Sequence, residues 1–185
     1  MIKIKNLSFN YGDEKILDDF SCEFEKGERV CISAPSGRGK TTLLRLISGL
    51  EKPKQGKIEI HTGTKLSVVF QDDILLPWYT AKQNVAIVSS EETAKNSLDK
   101  LGLSAAYDKL PRELSGGMQR RVELARALAH GGNVLILDEA FKGLDDELKN
   151  EIMQILIEQY RDKLIIFTSH DKIEQEIFAT RTIKL

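Results

Sequence analysis

Apolar residues along the chain fall into two periods. Residues 30–32, 134–137 and 164–167 are short unbroken apolar runs, the pattern of strands buried on both faces of a parallel sheet. Ile2 and Ile4 alternate with Lys3 and Lys5, and Phe20, Cys22 and Phe24 alternate with polar neighbours. That is the period of half-buried strands. Turns at Gly12-Asp13 and Lys26-Gly27-Glu28 make this N-terminal region an antiparallel hairpin, with Tyr11 in the loop before it. Residues 57–60 and 66–70 read as two further strands around a turn at Gly63. Helical period follows Lys40 (Leu43, Leu44, Leu46, Ile47, Leu50) and stops at Ser48-Gly49, with Pro53 beyond. Residues 80–110 look helical, in pieces at 81–88 and 91–101, with Ser89 or Ser90 as N-cap and Gly102 as the stop. A longer helix is predicted from Met118, Val122, Ala125 and Ala129, flanked by Leu124 and Leu128 and ended by Gly131-Gly132. Leu148, Ile152, Ile155 and Leu156 mark another, and a last helix and a strand at 181–185 close the chain. These elements predict an α/β fold with a mainly parallel core sheet and an N-terminal antiparallel β region.

Composition changes this picture little. A length of 185 residues suits one domain with a sizeable core, and a formal net charge of −1 gives no argument for nucleic acid or an anionic surface as partner. Cys22 and Cys31 lie in strand-like segments without C-x-x-C spacing, so buried free thiols are expected rather than a metal site. No leader-like segment follows Met1 and no apolar run approaches a bilayer's thickness. The expectation is a soluble, cytoplasmic protein able to dock on a membrane protein. The segment 72–79 carries several large apolar groups and the only tryptophan, Trp78. A loop of that kind needs burial or a partner.

The chemistry concentrates after the run 30–32. Ala34-Pro-Ser-Gly-Arg-Gly-Lys-Thr41 joins a buried strand to a helix, the order of a P-loop. Backbone N–H groups of such a loop converge on phosphate oxygens, and the following helix adds its positive dipole end. Gly37 and Gly39 suit a backbone that wraps a phosphate; Lys40 would reach the β- and γ-phosphates, and Thr41 would hold Mg²⁺. Ala34 stands where the strict pattern has its first glycine, and Arg38 is a bulky charge inside the loop, read as a solvated side chain. Asp138 and Glu139 end the run 134–137, and open α/β sheets bind ligands at that edge. Read alone, such a pair also fits a solvated helix cap, and a lone Gln71 or His170 is an ordinary polar surface residue.

The order of motifs reverses those readings, because it resembles the ATP-binding subunit of an ABC transporter over nearly the whole chain. The matching pieces are the P-loop, Gln71 after a strand, Leu114-Ser-Gly-Gly-Met-Gln119, Leu135-Ile-Leu-Asp-Glu139, Leu144-Asp145, and His170 after a strand. The resemblance implies a P-loop NTPase fold, one ABC ATPase domain over 1–185 with a helical subdomain inserted at about 72–130, and an Mg²⁺-dependent ATPase. Ser36, Gly37, Arg38, Gly39, Lys40, Thr41 and Thr42 would bind nucleotide, and Tyr11 would stack on adenine. Thr41, Gln71 and Asp138 would serve the metal, Asp138 through a water. Glu139 would be the general base, with His170 and Gln71 completing the catalytic set. Leu114, Ser115, Gly116, Gly117, Met118, Gln119 and Asp145 would act in trans on ATP bound to a second subunit, in a head-to-tail homodimer. Lys142-Gly143 and Ala140 replace residues frequent in the family without removing a catalytic side chain. Leu75-Leu-Pro-Trp78 is similar to importer ATPases for nitrate, sulfonate, bicarbonate or thiamine-precursor solutes. The implied partners are transmembrane permease subunits and a solute-binding protein, with no nucleic acid, and the implied place is peripheral on the inner face of the cell membrane. The competing class is a soluble ABC ATPase acting on nucleic acid or ribosomes, which the charge balance disfavours.

Overall fold

The computed structural model describes residues 1–72 and 75–185; Asp73 and Ile74 of the apolar loop lie outside the described residues. The chain divides into two compact bodies. The first comprises Met1–Val68, Asn133–Asp138 and Tyr160–Leu185, the second Val69–Gly132 and Glu139–Gln159.

In the first body, β1 (Ile2–Tyr11), β2 (Glu14–Phe24) and β4 (Gln55–Ile60) form an antiparallel sheet in the order β2-β1-β4. Tyr11 is the last residue of β1, paired with Glu14, and not in a loop. The pairing of β1 with β2 is irregular between Ile4 and Asn10, and Asn6 takes a positive φ of 47°. Such bulges end strict alternation, which is why the sequence pattern stops short of Tyr11. The second sheet has the order β5-β6-β7-β3-β8 and includes β3 (Arg29–Ser33), β5 (Leu66–Val69), β6 (Val134–Asp138), β7 (Leu164–Thr168) and β8 (Arg181–Lys184). Strands β6, β7, β3 and β8 run parallel. Every residue of β6 and β7 is buried. Burying a Val, Leu, Ile or Phe side chain is worth about 1.5–3 kcal/mol, so these strands contribute strongly to the core. Helix α1 (Lys40–Ile47) follows β3, and α6 (Lys172–Phe178) sets Phe178 edge-on against Phe167, with centroids 4.9 Å apart.

The second body is helical: α2 (Ala81–Ala86), α3 (Glu91–Lys100), α4 (Gly116–His130) and α5 (Asp146–Gln159). Helix α2 opens with a capping box from Thr80 and Gln83, and Ser90 caps α3. Regular helix ends at Lys100, so the helical reading of 80–110 covers only its first two thirds. On α5 the buried set is Ile152, Met153 and Leu156, while Leu148 and Ile155 are half-buried. Asn84 is fully buried. Its Nδ2 donates to the carbonyls of Leu76, Tyr79 and Thr80, and its Oδ1 accepts from the Leu76 N–H. All of its amide capacity thus goes to fixing the turn that carries Trp78, which is 69% exposed.

Cys31 is buried and Cys22 half-buried rather than fully enclosed. Burial pushes both thiols up to about 11, so neither is a thiolate near neutral pH. Among the described residues, no helix is long and apolar enough to cross a membrane.

Candidate nucleotide site

Strand β3 delivers the chain to the sheet edge, where residues 34–39 turn into α1. Two glycines make the turn possible. Gly37 has φ 76° with open space around it. Gly39 has φ 84°, and a Cβ there would lie 2.7 Å from the Ile16 side chain, a separation that real Cβ atoms do not show. Gly39 is also the N-cap of α1 and supplies no side-chain bond to it. The first N–H groups of α1 are therefore not satisfied by a capping side chain, and the positive dipole end stays open to an anion.

Four side chains of the first body converge in front of this tip. Lys40 is buried, and its Nζ donates to the Ala34 carbonyl at 2.9 Å and the Pro35 carbonyl at 3.3 Å. Nζ also lies 3.3 Å from His170 Nε2; an ammonium has only donors, so that nitrogen must accept. The Thr41 hydroxyl donates to Asp138 Oδ2 at 2.7 Å, and the Thr168 hydroxyl donates to Oδ1 at 2.6 Å. Asp138 is 1% exposed, so the two hydroxyls are what offset the burial of its carboxylate. Thr41 and Asp138 offer hard oxygen donors 2.7 Å apart. Among the described residues no cluster of His, Cys, Asp or Glu could hold a metal by itself. The Thr41–Asp138 oxygen pair fits Mg²⁺, which takes one or two protein oxygens and completes its shell with substrate phosphates and water.

The loop that carries His170 is itself braced. Ser169 Oγ donates to the buried Glu174 at 2.5 Å and accepts from the Asp171 N–H, and Gln175 Nε2 donates to the Ser169 carbonyl. Tyr11 is 44% exposed, with its ring edge-on to Phe9 at 4.9 Å and its hydroxyl 3.3 Å from Glu51 Oε1. Ser36, Gly37 and Arg38 are exposed, and Thr42 is buried in α1.

The remaining predicted residues belong to the second body. Ser115 caps α4, its hydroxyl accepting the Met118 N–H at 3.3 Å. A Cβ on Gly116 would meet nothing within 4 Å, whereas one on Gly117 would meet the Gly143 carbonyl at 3.4 Å and Leu144 at 3.5 Å. The Leu144-Asp145 segment thus backs the start of α4. Asp145 Oδ1 accepts the Leu148 N–H at 3.0 Å, at the start of α5. Leu114 is buried, and Gln119 Nε2 donates to the carbonyls of Pro111 and Leu114. Glu139 follows Asp138 directly and carries a φ of 47°, unusual for a residue with a Cβ. Gln71 is exposed; its backbone carbonyl, with that of Phe70, is taken up by Arg120. The structure thus brings Lys40, Thr41, Asp138 and His170 into one cluster. Gln71, Glu139 and the 114–119 segment belong to the other body.

The profile of the family described as "ABC transporter" matches residues 17–142. The chain belongs to the ABC transporter family. It is an ATPase that works with ATP and Mg²⁺. It is 36% identical to the bicarbonate transport ATP-binding protein CmpD of Synechocystis sp., an alignment covering 100% of this chain and 73% of that protein. It is 34% identical to the taurine import ATP-binding protein TauB of Escherichia coli K12, covering 100% and 79%. The aliphatic sulfonates import ATP-binding protein SsuB 1 of Rhodococcus jostii is 37% identical, with 100% and 78% covered. Among solved structures, a dimeric post-hydrolysis state of the ATP-binding cassette MJ0796 bound to ADP and Pi superposes with a TM-score of 0.91 at 30% identity, covering 100% of this chain and 94% of that one.

Sequence reasoning passed over three residues of this ABC chain. Arg120 and Glu123 are charged positions on a helix read for its apolar face, yet both are buried. Glu174 is the third. A serine before the histidine and a glutamate five residues on, across a helix start, was the available signal for it.

Proposed function

We propose that residues 1–185 form one ABC ATPase domain, with a helical subdomain at about 72–130, that powers import of a small oxyanion-bearing solute. The cluster of Lys40, Thr41, Asp138 and His170 before an uncapped helix tip carries this reading. Lys40 exchanges its two carbonyl partners for β- and γ-phosphate oxygens, while Ser36, Gly37, Arg38, Gly39, Thr41 and Thr42 line the triphosphate. Thr41, and Asp138 through a water, would hold Mg²⁺, which would supply neutralisation of phosphate charge; Gln71 would serve the metal and the attacking water. Glu139 takes the proton of the attacking water, and His170, whose Nε2 lies 3.3 Å from Lys40 Nζ, contacts the γ-phosphate and orients the catalytic groups. Tyr11 stacks on adenine, a contact worth roughly 1–3 kcal/mol by analogy with base stacking.

The solute class rests on relatives named for bicarbonate, taurine and sulfonates. Two copies of the chain close head to tail; that similar cassettes are solved as dimers supports the pairing. Leu114, Ser115, Gly116, Gly117, Met118, Gln119 and Asp145 of each face the ATP held by the other. Permease subunits receive the resulting motion at the Trp78 loop on the inner face of the membrane, and a solute-binding protein delivers the cargo outside.

Glu139→Gln tests the assignment. Turnover should fall by about 10²–10⁴-fold, the range for loss of a positioned general base. Nucleotide affinity should hold, and light scattering after gel filtration in Mg²⁺-ATP should show a trapped dimer. Turnover at the parent rate would remove Glu139 from the role.

A further inference from the structure

Helix α4 carries a buried cation that does not serve the helix. Arg120 is 6% exposed and sits one turn and a half after the Ser115 cap. Its guanidinium makes three bonds of 2.7 Å: Nη1 to the Phe70 carbonyl, Nη2 to the Gln71 carbonyl, and Nη1 to Glu123 Oε2. Glu123 is 1% exposed and lies one turn along the same helix. Two consecutive carbonyls meeting the two arms of one guanidinium is a forked arrangement that an ammonium cannot reproduce. The carbonyls belong to the first two residues after β5, where the chain leaves its sheet. A buried ion pair is weak evidence for added stability and better evidence for fixing a conformation.

We infer that Arg120 is a positioning residue that ties the signature helix to Gln71, so that the tip of α4 and the Gln71 contact move as one piece. This rests on the reading that Gln71 serves the metal and water and that Ser115–Gly117 meet a partner's nucleotide. Whatever pulls on the start of α4 is transmitted through five residues of helix and one guanidinium to the backbone of Gln71. Glu123 holds the guanidinium in register.

The test compares Arg120→Lys with Gln71→Ala in the full chain, each with parent controls for thermal unfolding and for binding of a fluorescent ATP analogue. Arg120→Lys keeps the charge and the Glu123 pairing and loses the fork. Expected is a fall in kcat of tenfold or more, with the Mg²⁺ concentration for half-maximal turnover raised several-fold and analogue affinity unchanged. A residue that served folding alone would not move the Mg²⁺ requirement. Gln71→Ala should give the same signature, and the double variant should be no worse than the more severe single one. If Gln71→Ala shows the signature and Arg120→Lys retains the parent kcat and Mg²⁺ requirement, the tie is overturned and the reading of Gln71 stands. If Arg120→Lys loses analogue affinity and kcat together while its Mg²⁺ requirement stays put, the tie is likewise overturned. If Gln71→Ala itself turns over at the parent rate and Mg²⁺ requirement, the reading falls and takes the tie with it.

Discussion

Two helix N-termini in this chain are built in opposite ways. Helix α1 begins after Gly39, a left-handed residue that offers no side-chain bond to the helix. Helix α4 begins after Ser115, in extended backbone, whose hydroxyl accepts an N–H of the first turn. The first leaves folding stability unclaimed, since a good N-cap is worth about 1 kcal/mol. The second claims it. Around α1 the side chains close in: Lys40 is held by two carbonyls and Asp138 by two hydroxyls. At α4 a Cβ on the outer glycine, Gly116, would meet nothing within 4 Å, while one on Gly117 would meet the Gly143-Leu144 segment. Under the proposed function, the contrast separates a tip that encloses a triphosphate from a tip that is presented to one. A local rule of helix design is broken only at the first, which is where sequences are expected to give up stability for function.

The contrast can be broken at three points. Lys40→Ala should have the largest effect, lowering ATP affinity by about 10²-fold or more, since charge-assisted bonds of roughly 1.5–3 kcal/mol each disappear. Titration of the single chain with a fluorescent nucleotide reads it directly. Gly39→Ala comes next. It forces a Cβ into the Ile16 side chain at a positive φ and should cost about 1–3 kcal/mol of stability by chemical denaturation, with weakened nucleotide binding. Ser115→Ala should be smallest, about 1 kcal/mol of stability, with single-chain nucleotide affinity intact and ATP-dependent self-association reduced in sedimentation. Should Ser115→Ala weaken single-chain nucleotide binding as much as Lys40→Ala does, the two tips would not differ in the way their caps suggest.

What the sequence disclosed depended on how far apart the participating residues lie. Strand, loop and helix around residues 30–47 are contiguous, so their chemistry is written in one stretch. The junction of Arg120 with Phe70 and Gln71 joins positions 50 and 49 residues apart, and its acceptors are backbone carbonyls, which leave no mark in a sequence. Tyr11 reads as a loop residue in the sequence because bulges in β1 break the alternation that announces a strand. The same irregularity hides the first half of β2, where Leu17 is the only core residue between Glu14 and Asp19. On α5 Ile152 and Leu156 lie in the core as their period implies, Met153 joins them, and Leu148 and Ile155 stand at its margin.

Asn84 has an implication for association. One amide side chain ties down three carbonyls and an N–H around the bend that displays Trp78. Ordering a backbone costs about 1–2 kcal/mol per residue, and here that cost falls on folding. The indole is offered on a pre-set knuckle, so a protein that grips it has little entropy of that segment left to overcome.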